Sequence, residues 1–247
     1  MKPWSFWVNI LPKGVKQMLI ECKSLSKSFG HKIALNDVNL NVESGKIVGL
    51  LGPNGSGKTT LIKILSGILT ANNGEALISG KPIGIETKKI VSYLPERTYL
   101  NDWMSVKQAV SFFADFYSDF SSETAYGMLE RLNIDPAERL KTMSKGTREK
   151  VQLILVMSRN AELYLLDEPI GGVDPAARDY ILKTIISNYS ENASVVISTH
   201  LISDIEHILD DVIFIKYGSV MLHSTVDEIR EQHGKSVDAL FREVFAC

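Results

Sequence analysis

A phosphate-binding pattern, GPNGSGKT, occupies residues 52–59. It follows the apolar run KIVGLL and precedes the helical pattern TTLIKILSGIL, which is the strand–loop–helix setting that this pattern requires. The glycines let successive backbone N–H groups turn toward phosphate oxygens, the Lys58 ammonium can reach the β- and γ-phosphates, and the Thr59 hydroxyl can join a Mg²⁺ shell. The predicted nucleotide-binding residues here are Gly52, Pro53, Asn54, Gly55, Ser56, Gly57, Lys58, Thr59 and Thr60.

Two adjacent carboxylates end the apolar run LYLLDEP. Asp167 closes a predicted strand, so its side chain is expected at the sheet edge where the phosphate loop opens, and there it would hold Mg²⁺ directly or through water. Glu168 follows at once and is free to orient or deprotonate an attacking water. A solvated surface carboxylate is the alternative for Glu168.

Two more side chains are candidates for the same site. His200 ends the run VVISTH, and an imidazole there can bond both a γ-phosphate and a nucleophilic water; a structural strand-end histidine is the other interpretation. Phe29 precedes Gly30 and His31, where its ring could stack on a purine or belong to a strand core.

A second anion-type pattern, TMSKGTREK, lies at residues 142–150. A serine, a glycine and basic residues directly before an apolar helical pattern are typical of a helix N-terminus that receives an anion. An ordinary N-cap at Ser144 with solvated basic residues explains the same pattern, and these residues alone favour the N-cap.

Strand-type and helical segments alternate along the chain, which predicts an α/β fold with a mostly parallel sheet covered on both faces and ligands at the carboxyl ends of its strands. A hairpin is expected around Tyr217 and Gly218. Residues 101–158 are predicted as a mainly helical insert whose first helix begins with a capping box at Ser105 and Gln108. The aromatic residues at helical spacing in this insert, Phe113, Phe116, Tyr117 and Phe120, are predicted to be core.

Composition narrows the class of protein. The chain has 247 residues and a net charge of -2, so no nucleic-acid partner is expected. Cys22 and Cys247 form no metal-type cluster and fit a reducing, cytoplasmic compartment. No apolar run approaches the roughly 18 residues of a membrane helix. Residues 1–17 are interpreted as an upstream extension, with an interfacial tryptophan anchor as the alternative.

The runs GPNGSGKTT, LYLLDEP, GGVDP and STH, in this order, resemble the ATP-binding subunits of ABC transporters over roughly residues 18–247. The resemblance implies a P-loop NTPase core with an N-terminal antiparallel β part and an inserted helical subdomain. A catalytic lobe would comprise about 18–100 and 159–247, and a helical lobe about 101–158, after the extension 1–17. It also implies a Mg²⁺-dependent ATPase coupled to transport, with ATP and Mg²⁺ as cofactors.

The same resemblance implies a head-to-tail homodimer with two ATP molecules in its interface. Ser144, Lys145 and Gly146 of one copy would contact the γ-phosphate bound by the other, and Asp174 in GGVDP would be the aspartate of the inter-subunit loop. A separate multi-span permease would be the membrane partner, with this chain on the inner face of the cell membrane. The pattern is similar to the multidrug, antibiotic and bacteriocin efflux branch, which implies export.

Some positions depart from the family's pattern. Glu96 in YLPE stands where glutamine is more common, at a position that senses Mg²⁺ and links the helical lobe to the membrane partner. A carboxylate there could still ligate Mg²⁺. Met143, Lys145 and Thr147 replace leucine, glycine and glutamine, which bears on coupling and rate more than on ATP binding.

Two other classes remain as alternatives. A soluble regulatory ATPase acting on ribosomes or nucleic acid would usually carry two fused cassettes or long basic insertions, whereas this chain has one cassette. A P-loop kinase or GTPase is disfavoured by the adjacent Asp167 and Glu168, by the second anion pattern and by the lack of a guanine-reading motif.

Overall fold

The computed structural model describes residues 18–171, 175–189 and 192–245. Its strands are Met18–Phe29 (β1), Lys32–Glu43 (β2), Ile47–Leu51 (β3), Asn73–Ile78 (β4), Lys81–Pro82 (β5), Val91–Leu94 (β6), Leu163–Asp167 (β7), Ser194–Thr199 (β8), Asp211–Lys216 (β9) and Ser219–Thr225 (β10). Its α-helices are Lys58–Leu65 (α1), Ile85–Ile90 (α2), Val106–Phe116 (α3), Ser122–Arg131 (α4), Lys145–Met157 (α5), Pro175–Asn188 (α6), Ile202–Ile205 (α7), Val226–His233 (α8) and Val237–Phe245 (α9).

The strands form two sheets. One has the order β10-β9-β3-β8-β7-β6, in which the neighbours from β9 to β6 are parallel and β10 is an antiparallel edge. The other has the order β2-β1-β4-β5 and is antiparallel. The predicted mostly parallel sheet and the N-terminal antiparallel part are therefore both confirmed.

The central strand β3 is buried on both faces, as its continuous apolar run predicts. Val48 and Leu50 face a core shared with α1 and the antiparallel sheet, while Ile47 and Leu51 face a second core shared with the helical insert and the C-terminal helices. Because both faces are covered, a ligand can reach this sheet only at the ends of its strands.

The insert between β6 and β7 contains α3, α4 and α5. The capping box of α3 is confirmed: Ser105 Oγ accepts from the Gln108 backbone N at 3.2 Å, and Gln108 Oε1 accepts from the Ser105 backbone N at 2.8 Å. Phe113 lies in the core, but the prediction for Phe116 is wrong, because this side chain is 67% exposed. It is the last residue of α3, and its ring stacks on the exposed ring of Phe112 instead of facing the core.

Arg159 attaches the insert to the parallel sheet. Its buried guanidinium pairs with both Asp119 carboxylate oxygens at 3.0 Å and lies 3.9 Å above the Tyr117 ring. The same group donates to the backbone oxygens of Val91 at 2.6 Å and Lys89 at 2.7 Å, just where β6 begins. A buried cation is tolerated here because each of these contacts satisfies it.

Some sequence predictions fall on residues that the structure does not describe: the extension 1–17, Asp174 and Cys247 all lie outside the described ranges. Cys22 is a buried thiol whose pKa burial raises to about 12, so it stays protonated and acts as a core residue. Along the described ranges, we find no helix with the length and apolar character that a bilayer crossing demands.

Candidate active site

A cleft of about 1050 Å³ opens at the carboxyl edge of the parallel sheet. Its walls include residues 54–60 after β3, residues 94–98 from the end of β6, Asp167 and Glu168 at the end of β7, and His200 after β8. The structure thus brings together every predicted catalytic and metal-binding side chain. Because the strands are parallel, their carboxyl ends meet at one edge, and this brings the side chains close together.

The phosphate loop is tightly enclosed by backbone. Gly55 (φ 79°) and Gly57 (φ 115°) have left-handed conformations that favour glycine. A Cβ on Gly57 would lie 2.5 Å from the Ala34 carbonyl oxygen, and one on Gly52 would lie 2.3 Å from that of Ile215. The glycines are therefore required for both the curl of the loop and its fit against neighbouring strands.

The turn between β9 and β10 braces this loop, which the sequence did not reveal. The Gly218 backbone N donates to the Ser56 carbonyl at 2.9 Å, and the Gly218 carbonyl accepts from the Asn36 backbone N at 2.9 Å. Gly218 has a φ of 80°, and a Cβ on it would lie 2.8 Å from the Ala34 carbonyl oxygen. A predicted hairpin turn thus also fixes the shape of the phosphate loop.

Lys58 begins α1 at the base of the loop. Its buried ammonium donates to the carbonyl oxygens of Gly52 at 2.7 Å and Pro53 at 3.2 Å. Burial lowers the pKa of Lys58, and the nearby negative charges, Glu168 first, oppose that shift. The ammonium therefore lies within the loop whose N–H groups suit phosphate oxygens.

Asp167 is buried and only half satisfied. Its Oδ1 accepts from the Ser198 hydroxyl at 2.6 Å and the Thr59 hydroxyl at 3.1 Å. Its Oδ2 is buried without a hydrogen-bond partner among the described residues. Burial raises the pKa of Asp167, the two hydroxyl bonds pull it down, and the charge of Glu96 adds a further increase.

This donor set fits Mg²⁺. A hard cation prefers carboxylate and hydroxyl oxygens, and the unpartnered Asp167 Oδ2 beside Thr59 supplies both kinds. Ser198 was missed by the sequence analysis, although the parallel register of β7 and β8 pairs Asp167 with Ser198 directly. The serine in the run STH was the available signal.

Glu168 and His200 form a pair at the mouth of the cleft. Glu168 Oε2 lies 3.0 Å from His200 Nδ1, which is the donor because an ionised carboxylate only accepts. Glu168 has a φ of 52°, and its backbone N donates to the Ser198 carbonyl at 3.0 Å. Its side chain is 14% exposed, so the alternative of a solvated surface carboxylate is wrong. This orientation directs the carboxylate into the site.

Phe29 and Glu96 both line the cleft. Phe29 ends β1, is 48% exposed and has Lys27 Nζ 5.3 Å from its ring centre, so its alternative as a strand-core residue is wrong. Glu96 follows β6, lines the cleft and is exposed. Its carboxylate is close enough to act on Asp167 and Lys58 through its charge.

Ser144 is the N-cap of α5. Its Oγ accepts from the Thr147 backbone N at 3.1 Å and contacts Thr147 Oγ1 at 2.8 Å. Lys145 lines the cleft, whereas Ser144 and Gly146 are not among the cleft residues in the part of the chain that the structure describes. Within one chain, then, the local geometry is the N-cap that these residues alone favour.

Comparison with known sequences connects this site to one family. A profile described as ABC transporter matches residues 35–171. The ABC transporter ATP-binding protein YtrB of Bacillus subtilis is 31% identical over 220 residues, which cover 88% of this chain and 75% of that protein. The lantibiotic transport ATP-binding protein SrtF of Streptococcus pyogenes is 28% identical over 211 residues, covering 85% and 92%.

Solved structures agree with the sequence relatives. The ATP-binding subunit of an ABC transporter superposes with a TM-score of 0.83 at 30% identity, covering 92% of this chain and 99% of that one. The dimeric structure of MJ0796, a bacterial ABC transporter cassette, gives a TM-score of 0.75 at 20% identity, covering 84% and 98%. At that identity the second likeness concerns the fold alone.

Proposed function

The chain belongs to the ABC transporter family as an ATP-binding subunit, and on this premise we propose that it hydrolyses ATP to ADP and phosphate to drive export through a separate membrane permease. One observation carries the proposal. Asp167 bonds Thr59 of the phosphate loop at 3.1 Å, and the next residue, Glu168, contacts His200 at 3.0 Å, so metal-type ligands and a proton acceptor lie side by side.

ATP would occupy the cleft with its phosphates on residues 52–60. The backbone N–H groups and the dipole of α1 favour the negative charge, and Lys58 would exchange its carbonyl partners for phosphate oxygens. Phe29 is exposed and lines the same cleft, so its ring can stack on the adenine.

Thr59, Asp167 and Glu96 would hold Mg²⁺, which neutralises charge on the phosphate oxygens when it is bound. The buried, unpartnered Asp167 Oδ2 supports this role. Glu96, as a carboxylate where the family more commonly has glutamine, would add negative charge to that shell.

Glu168 would accept the proton of the attacking water while the water oxygen bonds the γ-phosphorus and the bond from that phosphorus to the ADP oxygen breaks. His200 would bond the γ-phosphate or the water and hold the Glu168 carboxylate in place. The low exposure of Glu168 supports a base that is partly shielded from solvent.

A second copy of the chain would complete the site in a head-to-tail homodimer. Ser144, Lys145 and Gly146 at the start of α5 would close on the γ-phosphate bound by the partner, with Asp174 in the contact loop. A dimer of a cassette with the same fold supports this assembly.

The transport role is supported by the relatives. SrtF is named as a lantibiotic transport protein, and YtrB as an ABC transporter ATP-binding protein. We propose a catalytic lobe of about 18–100 and 159–247, and a helical lobe of about 101–158 that docks a multi-span permease at the inner face of the cell membrane.

Phosphate release from the purified chain tests this function. With ATP and Mg²⁺ we expect steady release of phosphate that stops when Mg²⁺ is chelated, and no stimulation by RNA or DNA. Release only in the presence of nucleic acid would instead favour the regulatory ATPase. Transfer of phosphate to another substrate without release would favour a kinase.

A further inference from the structure

A buried glutamine on α5 holds the segment that carries Glu96. Gln152 Oε1 accepts from the Thr98 hydroxyl at 2.7 Å, and Gln152 Nε2 donates to the Pro95 carbonyl at 3.2 Å. The Gln152 residue is only 3% exposed. Its amide therefore bonds both ends of residues 95–98, with Glu96 and Arg97 between the two contacts.

The end of α5 is bonded to β6, the strand that precedes residues 95–98. Ser92 of β6 donates from its hydroxyl to the Val156 carbonyl near the end of α5 at 2.9 Å. Two turns before Gln152, the same helix begins at its Ser144 cap. A displacement of α5 would therefore move residues 95–98 with it.

Glu96 is the acidic group that this arrangement places. It is exposed, and among the described residues its segment is held by the bonds of the Pro95 carbonyl and the Thr98 hydroxyl to Gln152. Its charge acts on both Asp167 and Lys58 across the cleft. A change at Gln152 would shift the Glu96 carboxylate relative to Asp167 and Lys58 without altering a residue of the phosphate loop.

We propose that Gln152 is a positioning residue that sets the place of Glu96 at the metal-binding side of the site and passes movement of the α5 N-terminus to it. This inference rests on the proposed function, in which Glu96 joins the Mg²⁺ shell and the start of α5 faces the partner's nucleotide. Nucleotide bound at one site would then change the position of Glu96 at the other site through the Gln152 side-chain amide.

Equilibrium titration of Mg²⁺ into protein saturated with a fluorescent ATP analogue tests the proposal. Gln152→Leu should weaken the apparent Mg²⁺ affinity by about tenfold, as loss of a partner behind a metal ligand does. In a Glu96→Gln background the same substitution should change it by no more than about twofold, because the residue through which it acts is gone. Equal losses in both backgrounds would overturn the proposal.

Gln108→Leu is the matched control, since it removes a hydrogen-bonding glutamine from the same insert without touching residues 95–98. It should leave the Mg²⁺ affinity unchanged. If Gln152→Leu does not fold, Thr98→Val removes one of the same bonds from an exposed hydroxyl and should reproduce the loss, while Thr98→Ser restores it. Identical affinities for these two variants would contradict the proposal.

The two proposals fail differently. If the wild-type chain binds the analogue with no dependence on Mg²⁺, the proposed function itself is contradicted. If wild-type binding depends on Mg²⁺ and Gln152→Leu matches it, only the role of Gln152 is wrong.

Discussion

At the scale of single residues, Asp167 destabilises the unliganded fold, and a bound ligand would remove that cost. One carboxylate oxygen is satisfied by Ser198 and Thr59, and the other is buried without a partner among the described residues. An unpaired buried charge destabilises the fold. Residues of a binding site commonly destabilise the unliganded protein in this way.

We therefore predict that Asp167→Asn raises the melting temperature of the nucleotide-free protein by about 2–4 °C near neutral pH. The amide oxygen still accepts from Thr59 and Ser198, and a neutral amide costs less to bury than a charge. Since the folded-state pKa of Asp167 lies above its ordinary value of 3.8, the folded chain binds the proton more tightly than the unfolded chain. The penalty is complete above that raised pKa and shrinks as the pH falls through it.

Thermal unfolding of both proteins across the acidic range checks this. The gap between the variant and the wild type should narrow toward low pH, and Mg²⁺ with ATP should stabilise the wild type more than the variant. A variant that is less stable than the wild type at neutral pH would contradict the account of Asp167.

At the scale of elements, the β9–β10 turn fixes the conformation of the phosphate loop that it contacts. Gly218 bonds Ser56 and Asn36 through its backbone, and the carbonyl of Ala34 leaves no room for a side chain. A local change in this turn should therefore weaken nucleotide binding.

Gly218→Ala is expected to destabilise the chain by roughly 2 kcal/mol or more and to weaken nucleotide affinity, because its Cβ meets backbone and its φ is left-handed. Gly234→Ala is the matched control. Gly234 also has a positive φ, 63°, but no atom lies within 4 Å of its added Cβ. It should cost about 1 kcal/mol and leave affinity unchanged. If equilibrium titration gives equal nucleotide affinities for the two variants, the β9–β10 turn does not fix the conformation of the phosphate loop.

The sequence predicted the elements better than the contacts between them. The phosphate loop and the strand ending in Asp167 could be predicted because their chemistry is local: glycines before a helix, and a carboxylate after an apolar run. The partners of Ser198 and Gln152 could not, because they depend on which strand lies beside which and on how α5 packs along β6. The exposed Phe116 shows the same limit, since helical period alone does not say where a helix stops.

At the scale of the whole molecule, one chain does not complete the centre proposed for it. The cleft contains the phosphate loop, Glu168 and His200, but Ser144 and Gly146 are not among its described walls. In the proposed head-to-tail assembly, the second anion pattern would act on the phosphate bound by another copy of the chain.

Glu168→Gln should accumulate a dimer with Mg²⁺ and ATP, because nucleotide holds two copies together and loss of the base prevents hydrolysis from parting them. Light scattering should report twice the single-chain mass with ATP and a single-chain mass with ADP. Adding Ser144→Arg should abolish the dimer, since a bulky side chain would block the approach of α5. A single-chain mass of Glu168→Gln under every nucleotide condition would contradict the head-to-tail assembly.

The role of Glu168 as the catalytic base is tested by the rate of phosphate release by Glu168→Gln beside Glu162→Gln, at saturating Mg²⁺ and ATP. The two glutamates flank opposite ends of β7, and Glu162 is exposed, with its carboxylate accepting from the Ser79 hydroxyl at 2.9 Å. Glu168→Gln should lose about 100-fold or more in kcat, with nucleotide affinity retained, and Glu162→Gln should keep the wild-type rate. A wild-type rate for Glu168→Gln, or equal losses in both variants, would contradict that role.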